Sequence, residues 1–461
     1  MSATLSERLI DLCARPVDAN TRMRAARHVL DWLGCALIGS TAPAGRAMIE
    51  FTAQTGPGPC FAVCSDTRGC EDAAFLNGAL GNIFEMDDLH RTSILHAGDV
   101  VIPAALAVAQ QKEVTADAML DAIVRGYEAA IRLGIAASHG GYSAWYNSGT
   151  CGVFGAAMAV GHILNLDRVR MADAVGQAGM MASGIWQCRL EPTFSKQLAT
   201  AHAARSGVTA AMLARTGFLG ARQVLEGELG FFPTYYPSAD AAAVVTGPEE
   251  PWKLEEVSFK PWPACRHVHP AIEAALALRS LSLPGQIVQI IIQTYGAAVD
   301  FCNNPTPVTD HDARFSLQYC VASAMLRGAP VPAHFLEDAR NHTAVQALMT
   351  LVKIIPDDAM TAAFPHAYAA SVEVTQSGGA QQRHAVTTAK GDPENPMTEA
   401  ELNTKFSHLT SIAGISNETA SAIQAAILGL PGQSSLISMN TAFAKVSAEL
   451  LRHHQTRETS E

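Results

Sequence analysis

From Leu5 to about Leu225 the apolar residues recur at helical spacing. Ala25, Val29, Trp32, Leu33 and Leu37 mark one such face, and Ala118, Leu120, Ile123, Val124 and Tyr127 mark another. Cys151 to Leu164 is apolar almost all round, the pattern of a helix buried among other helices. Gly56-Pro57-Gly58, Gly140-Gly141 and Gly217 with Gly220 punctuate the series. The texture changes near Trp252. Val257-Ser258-Phe259 and Val288 to Tyr295 read as strands, and Ser371 to Thr375 alternates with period two. Ser377-Gly378-Gly379 offers a turn into Arg383 to Thr388, the signature of a hairpin. Helical stretches, His269 to Leu281 and Phe315 to Leu326, separate these strands, and helical spacing returns over Thr398 to Leu409 and Thr419 to Leu428.

The expected fold is therefore mainly α with an α+β second domain. Residues 1–258 form an all-helical domain, residues 259–401 a smaller α+β domain, and residues 402–461 C-terminal helices that return to the first. The tail from His453 to Glu461 is expected to fray.

Composition sharpens this picture in two respects. Hydrophobic residues make up 48% of the 461 positions and charged residues 16%, which describes a well-packed globular chain rather than a disordered one. The net charge of −11 and the absence of any Lys/Arg block speak against nucleic acid as a partner, since phosphate neutralisation needs clustered cations. A small anion held by a few gathered cations remains compatible. The N-terminal stretch lacks the apolar run of a secretory signal, and no uncharged stretch reaches membrane-spanning length, so no membrane association is expected. Ten cysteines, mostly in apolar surroundings, read as free thiols in a reducing, cytoplasmic setting.

Four polar islands interrupt the apolar background. The first runs Phe84-Glu85-Met86-Asp87-Asp88-Leu89-His90, followed by His96-Ala97-Gly98-Asp99 and an apolar helix. So dense a set of carboxylates and histidines, in a chain so poor in charge, suggests chemistry. The plain alternative is helix capping by Asp87 or Asp99. A di-metal site would need Glu-x-x-His pairs on several helices, which Glu85 does not supply. The second island, His139 to Thr150, places Ser148, Gly149 and Thr150 before an apolar helix, where backbone N–H groups could receive a carboxylate. It could equally be an ordinary loop.

The third island leads through Ser195-Lys196 into a helix of small residues. A buried lysine is costly when charged and can serve as a base, although most lysines reach out to water, and by spacing alone that is the expectation for Lys196. The fourth gathers Lys260, Cys265, Arg266, His267 and His269 around Pro261 and Pro263. Its spacing fits no closed zinc site, and Cys60, Cys64 and Cys70 lack a matching fourth ligand. No dinucleotide fingerprint, P-loop or nucleophile elbow occurs in a supporting context.

Taken in order, these islands resemble the MmgE/PrpD family, which includes 2-methylcitrate dehydratase, cis-aconitate decarboxylase and iminodisuccinate epimerase. Asn77-Gly78 with Glu85-Met86-Asp87-Asp88-Leu89-His90 is similar to the family's N-G…D-x-D-D-T-H stretch. His96-Ala97-Gly98 with Pro103-Ala104-Ala105-Leu106-Ala107 resembles H-P-G…P-A-A-L-A. Ser195-Lys196 with Ala203-Ala204-Arg205-Ser206-Gly207 resembles T-K…A-A-x-S-G, and Lys260-Pro261-Trp262-Pro263-Ala264-Cys265 with His269 resembles K-x-Y-P-C-C…H. Arg314-Phe315-Ser316-Leu317-Gln318-Tyr319 is similar to K-F-S-x-x-Y, while Gly391 to Pro396 and Lys405-Phe406 resemble the closing motif.

The resemblance implies a large helical domain, a smaller α+β lid, a homodimer, a small polycarboxylate substrate, and neither cofactor nor metal. Carried over by motif, it assigns catalysis to Lys196 and His96, and substrate binding to Asp87, Asp88, His90, Lys260, Cys265, His269 and Tyr319; Arg266 beside them is a further candidate cation for the substrate, and Tyr146 a further candidate for catalysis. There are departures. Where dehydratases and decarboxylases of the family usually carry histidine (G-F/W-H-x-T), Tyr146 follows Trp145; Leu89 replaces a threonine and Glu85 an aspartate.

Abstracting a proton next to a carboxylate builds negative charge that fixed cations and donors must meet. A lysine and a tyrosine on opposite faces of a carbanion would invert a stereocentre without expelling anything. The expected reaction is accordingly epimerisation of an amino-polycarboxylate such as iminodisuccinate, with Lys196 and Tyr146 as the acid/base pair. The alternatives are a 2-methylcitrate-type dehydratase or cis-aconitate-type decarboxylase, and an inactive helical homologue acting as a binding protein.

Overall fold

The computed structural model describes residues 3–191, 193–282 and 284–458; Pro192, within the third island, and the last three residues of the tail lie outside them. The chain is mainly helical with a smaller α+β part, and it divides into two compact units. The larger comprises Met1–Ile83, Asp87–Val257 and Glu399–Glu461; the smaller comprises Phe84–Met86 and Ser258–Thr398.

The larger unit is built on α1 (Ala19–Gly39), α2 (Cys70–Leu80), α3 (Gly98–Lys112), α4 (Ala116–Ala137), α5 (Asn147–Thr150), α6 (Gly152–Ile163), α7 (Arg168–Met181) and α8 (Ser195–Thr216). Asp18, Thr115 and Asp167 cap α1, α4 and α7 with side-chain oxygens on free backbone N–H groups. Helix α6 is buried along nearly its whole length, between α4 and α8, as its all-round apolar sequence requires. Small residues let these helices close up. A Cβ on Gly155 would sit 2.5 Å from the Gly126 carbonyl oxygen, so α4 and α6 meet backbone to backbone. C-terminal helix Glu399–Ile412 packs on α1, where Lys405 Nζ lies 2.6 Å from Asp31 Oδ1 in a buried ion pair.

Glu128 anchors a second buried network. It accepts from Arg132 Nε at 2.6 Å, Arg15 Nη2 at 3.0 Å and the Lys253 N–H at 2.6 Å, which leaves its charge matched.

In the smaller unit a four-stranded mixed sheet has β1 (Ile287–Thr294), β2 (Val352–Pro356), β3 (Ala370–Gln376) and β4 (Gln381–Val386) in the order β2-β1-β3-β4. β1 and β2 run parallel; β1/β3 and β3/β4 are antiparallel, the latter being the expected hairpin. Ile290, Ile292, Val372 and Val374 face a core shared with α9 (His269–Arg279) and α10 (Leu317–Arg327). Two details differ from the sequence pattern. Val257-Ser258-Phe259 forms no strand: the Phe259 N–H donates to the Gly391 carbonyl and Ser258 Oγ to Asp392, so this apolar run is pinned to a loop. Strand β2 was not foreshadowed, because a five-residue edge strand ending in proline gives little alternation to read.

Among the described residues no helix is long and apolar enough to cross a membrane. All ten cysteines are free thiols, and nine are buried.

Candidate active site

The first island folds into a tight loop before α3. The His90 N–H donates to the Leu95 carbonyl at 2.9 Å and the Leu95 N–H returns to His90 at 3.3 Å. Glu85 and Ile94 hold left-handed backbone angles, φ 55° and 51°. Non-glycine residues adopt that region at a cost of roughly 1–2 kcal/mol each, so the loop's shape is imposed by its surroundings.

Asp88 is the hub. One of its oxygens accepts from the Tyr127 hydroxyl at 2.7 Å and lies 2.7 Å from His28 Nδ1, and the other accepts the Gly98 N–H at 3.1 Å. Gly98 opens α3, so the helix start is capped by Asp88 rather than by Asp87 or Asp99. Burial pushes the Asp88 carboxyl up, but the bonds from His28, Tyr127 and Gly98 outweigh it and hold the group below the usual carboxylate range. Burial drives the other way at His28, whose pKa falls to about 4 despite its carboxylate partner. At neutral pH His28 is therefore an uncharged donor to Asp88. Neither His28 nor Tyr127 was singled out by motif; His28 is a polar position beside Val29 and Leu30, and Tyr127 reads as one of the apolar residues of its helix face.

His96, partly exposed, reaches the same loop. Its Nδ1 lies 3.0 Å from the Asp88 carbonyl and in ion-pair contact with Asp87. A ring nitrogen facing a carbonyl oxygen carries a proton. The His96 N–H donates to Ser148 Oγ at 3.0 Å, joining the second island to the first. Within that island Thr150 Oγ1 and Asn147 Oδ1 bond Tyr236 at 2.6 and 2.9 Å, so its polar groups are largely committed to the fold.

Tyr146 is wholly buried, its ring 4.5 Å from Trp186 and its N–H donating to the Gly184 carbonyl at 3.0 Å. Gly184 packs beside Ala199, one helical turn beyond Lys196 on α8. Lys196 is buried, 8% exposed, where spacing alone had it reaching solvent. Its ammonium acts electrostatically on Asp99, so the third island closes on the first.

Asp87, His96 and Asp99 form a group whose potential ligand atoms all lie within 4.8 Å of one another. Nδ1 of His96 is turned to oxygen acceptors and so is not the atom that would ligate a cation. His90 belongs to the fabric of the fold: its ring meets Ser93 at 2.9 Å and Glu256 at 3.2 Å. Burial pushes Glu256 up, yet His90 and Lys253 together draw it down to about 2.

In the smaller unit Lys260, fully buried, lies 3.5 Å from Glu85, and Arg314 stacks over Phe84 at 4.7 Å. Arg266 pairs with Asp392 and donates to the Lys390 carbonyl at 3.1 Å. His269 Nε2 faces the Ala264 carbonyl at 3.0 Å, and the Tyr319 hydroxyl donates to the His334 carbonyl. Burial raises the Cys265 thiol, but bonds from Cys302 and the backbone together with the Lys260 charge leave it lowered. Arg266, His269 and Tyr319 thus spend polar groups on backbone and neighbours within their own unit.

Two family models span most of the chain: MmgE/PrpD N-terminal domain over residues 3–243, and MmgE/PrpD C-terminal domain over residues 262–429. The chain belongs to the MmgE/PrpD family. Among similar proteins, a cis-aconitate decarboxylase-like protein of Aspergillus oryzae is 26% identical over 483 residues, covering 98% of each chain. The cis-aconitate decarboxylase of Homo sapiens is 27% identical over 410 residues, covering 83% of this chain and 82% of that protein. The cis-aconitate decarboxylase of Aspergillus terreus is 29% identical over 283 residues, 57% of each. The sequence pattern pointed to this family, and within it the relatives favour the lyase alternative over epimerisation.

Proposed function

We propose that this MmgE/PrpD member is a cofactor-free lyase, removing carbon dioxide or water from a small polycarboxylic acid. The carrying observation is the group formed by partly exposed His96 with buried Asp87 and Asp99, with Ser148 beside it and Lys196 acting on it from α8. The decarboxylase names of its relatives support the same class.

In this reading the reaction passes through negative charge beside a substrate carboxylate, and preorganised donors stabilise that charge without reorganising. His96 has its Nδ1 proton fixed by the Asp88 carbonyl, so Nε2 gives or takes the substrate proton. Lys196 is the second proton-handling group. Asp88 holds the loop to the start of α3 and sets the height of His96. Cys265 and Lys260 are assigned to substrate carboxylates by motif alone.

Epimerisation remains a second reading, favoured by one observation: Tyr146 stands buried where a histidine is usual. One experiment separates them. Purified protein is given cis-aconitate, 2-methylcitrate and iminodisuccinate in deuterated buffer and followed by NMR. Carbon dioxide or alkene formation supports the lyase. Deuterium exchange with loss of optical activity, and no product of elimination, supports the epimerase.

A further inference from the structure

Asp99 lies in the first turn of α3, wholly buried, and no family motif used above includes it. Neither of its oxygens receives a hydrogen bond from an N–H or hydroxyl among the described residues. Its Oδ1 lies so close to Gly81 that a Cβ there would stand 1.9 Å away, so the carboxyl group is wedged against backbone with no side chain between. On its other side is Asp87, also buried, which in turn meets His96.

Two adjacent buried carboxylates cannot both stay charged without a counter-ion or a proton between them. The titratable neighbours are Asp87, Asp88 and His96 on the loop, Lys196 on α8, Tyr127 on α4, and Asp31 and Cys35 on α1, with Lys405 beside Asp31. Lys405 is taken by Asp31 and Asp88 is satisfied by its three donors. His96 meets Asp87, and Lys196 acts on Asp99 less than burial and the Asp87 charge do. His96 Nδ1 has its proton directed at the Asp88 carbonyl and is therefore no ligand for a cation.

We propose that Asp99 is a positioning residue: protonated, it donates a hydrogen bond to Asp87, and the shared proton fixes the carboxylate face that Asp87 turns to His96. The direction of its acidity agrees. Burial, then the Asp87 charge and the bond to it, raise the Asp99 carboxyl well above its ordinary 3.8, with Lys196 opposing weakly. An acid so raised makes the folded state bind the extra proton, so its contribution to stability is present at low pH and fades as pH rises.

The inference rests on the reading of His96 as a proton-handling residue, but its test does not depend on the substrate. Thermal unfolding of wild type, Asp99→Asn and Asp99→Ala is measured from about pH 4 to 8. The amide of Asn can donate to Asp87 and does not titrate. Expected is a melting temperature of Asp99→Asn that gains on wild type by about 1 °C per pH unit as pH rises. Asp99→Ala, which removes the donor to Asp87, stays below both.

In turnover, Asp99→Ala is expected to lose about 100-fold in kcat with KM little changed, and Asp99→Asn to recover most of that loss. A constant offset between Asn and wild type across the pH range would overturn the proposal. So would millimolar Mg2+ or Mn2+ raising the melting temperature of wild type but not of Asp99→Asn, which would make the site a cation site. If no substrate is turned over, the function is wrong while the unfolding series still decides Asp99.

Discussion

His28 should make the stability of the helical unit depend on pH in a calculable way. Its ring is completely buried, 2.7 Å from Asp88, and its pKa lies at about 4 against 6.5 in an unfolded chain. The folded state therefore refuses a proton that the unfolded state accepts between these two values. Stability from this group is complete above pH 6.5 and is lost as pH falls towards 4, at up to about 1.4 kcal/mol per pH unit. Across the window the loss is about 3 kcal/mol, an upper bound because the buried site can relax around the charge.

Asp31 works in the opposite direction. Burial raises it to about 6 against Lys405, so its contribution grows as pH falls from 6 towards 3.8. Wild-type data alone would mix the two. The clean assay is urea unfolding of wild type and His28→Asn at a series of pH values, because the Asn amide can still donate to Asp88 but cannot titrate. The stability difference in favour of wild type should shrink by about 3 kcal/mol between pH 7 and 4. A difference that holds constant over that range would mean that His28 takes up its proton in the folded state as readily as in the unfolded chain, and would refute the account of Asp88 as an anion held by neutral donors.

Glu128→Ala should destabilise by about 3 to 5 kcal/mol, since it strands the buried Arg132 charge; chemical denaturation measures this, and a loss under 1 kcal/mol would show the pair to be dispensable. Tyr146→Phe keeps the ring that packs on Trp186 and removes only the hydroxyl. Under the lyase reading kcat should change by less than about tenfold, whereas an epimerase would lose about 100-fold or more with its second acid, the range typical of acid–base groups. Met180, Leu190, Phe194 and Leu229 stand 59 to 92% exposed on the larger unit, and Met180 and Leu229 line one and the same hollow, a surface a second copy could cover. Sedimentation should therefore give a homodimer, and Leu229→Glu with Met180→Glu should yield monomers.

The helices of the larger unit could be read from spacing because their apolar faces repeat over several turns, as in Ala116–Ala137 and Ser195–Thr216. The short β2 and the loop at Val257 to Phe259 could not, since long-range bonds to β1 and Gly391 decide them. The site divides similarly. Asp87, Asp88, His96 and Lys196 announced themselves by motif. His28 and Tyr127 did not, because their role is to meet Asp88 across 60 and 39 residues of chain. Lys196 was expected in solvent because most lysines reach water, and the small residues after it, though visible in the sequence, do not by themselves fix how deeply it is covered. Capping too is decided at a distance: Asp99 lies in the first turn of α3, yet Asp88, ten residues before Gly98, takes the Gly98 N–H.

The central claim is tested most directly by NMR turnover of cis-aconitate and 2-methylcitrate with wild type and Lys196→Ala, alongside circular dichroism of both. The account predicts loss of carbon dioxide or water catalysed by wild type, and a folded Lys196→Ala protein slowed by at least about 1000-fold, within the range of general acid–base contributions. Equal rates from the two proteins, or a folded wild type that eliminates nothing from either acid, would contradict it.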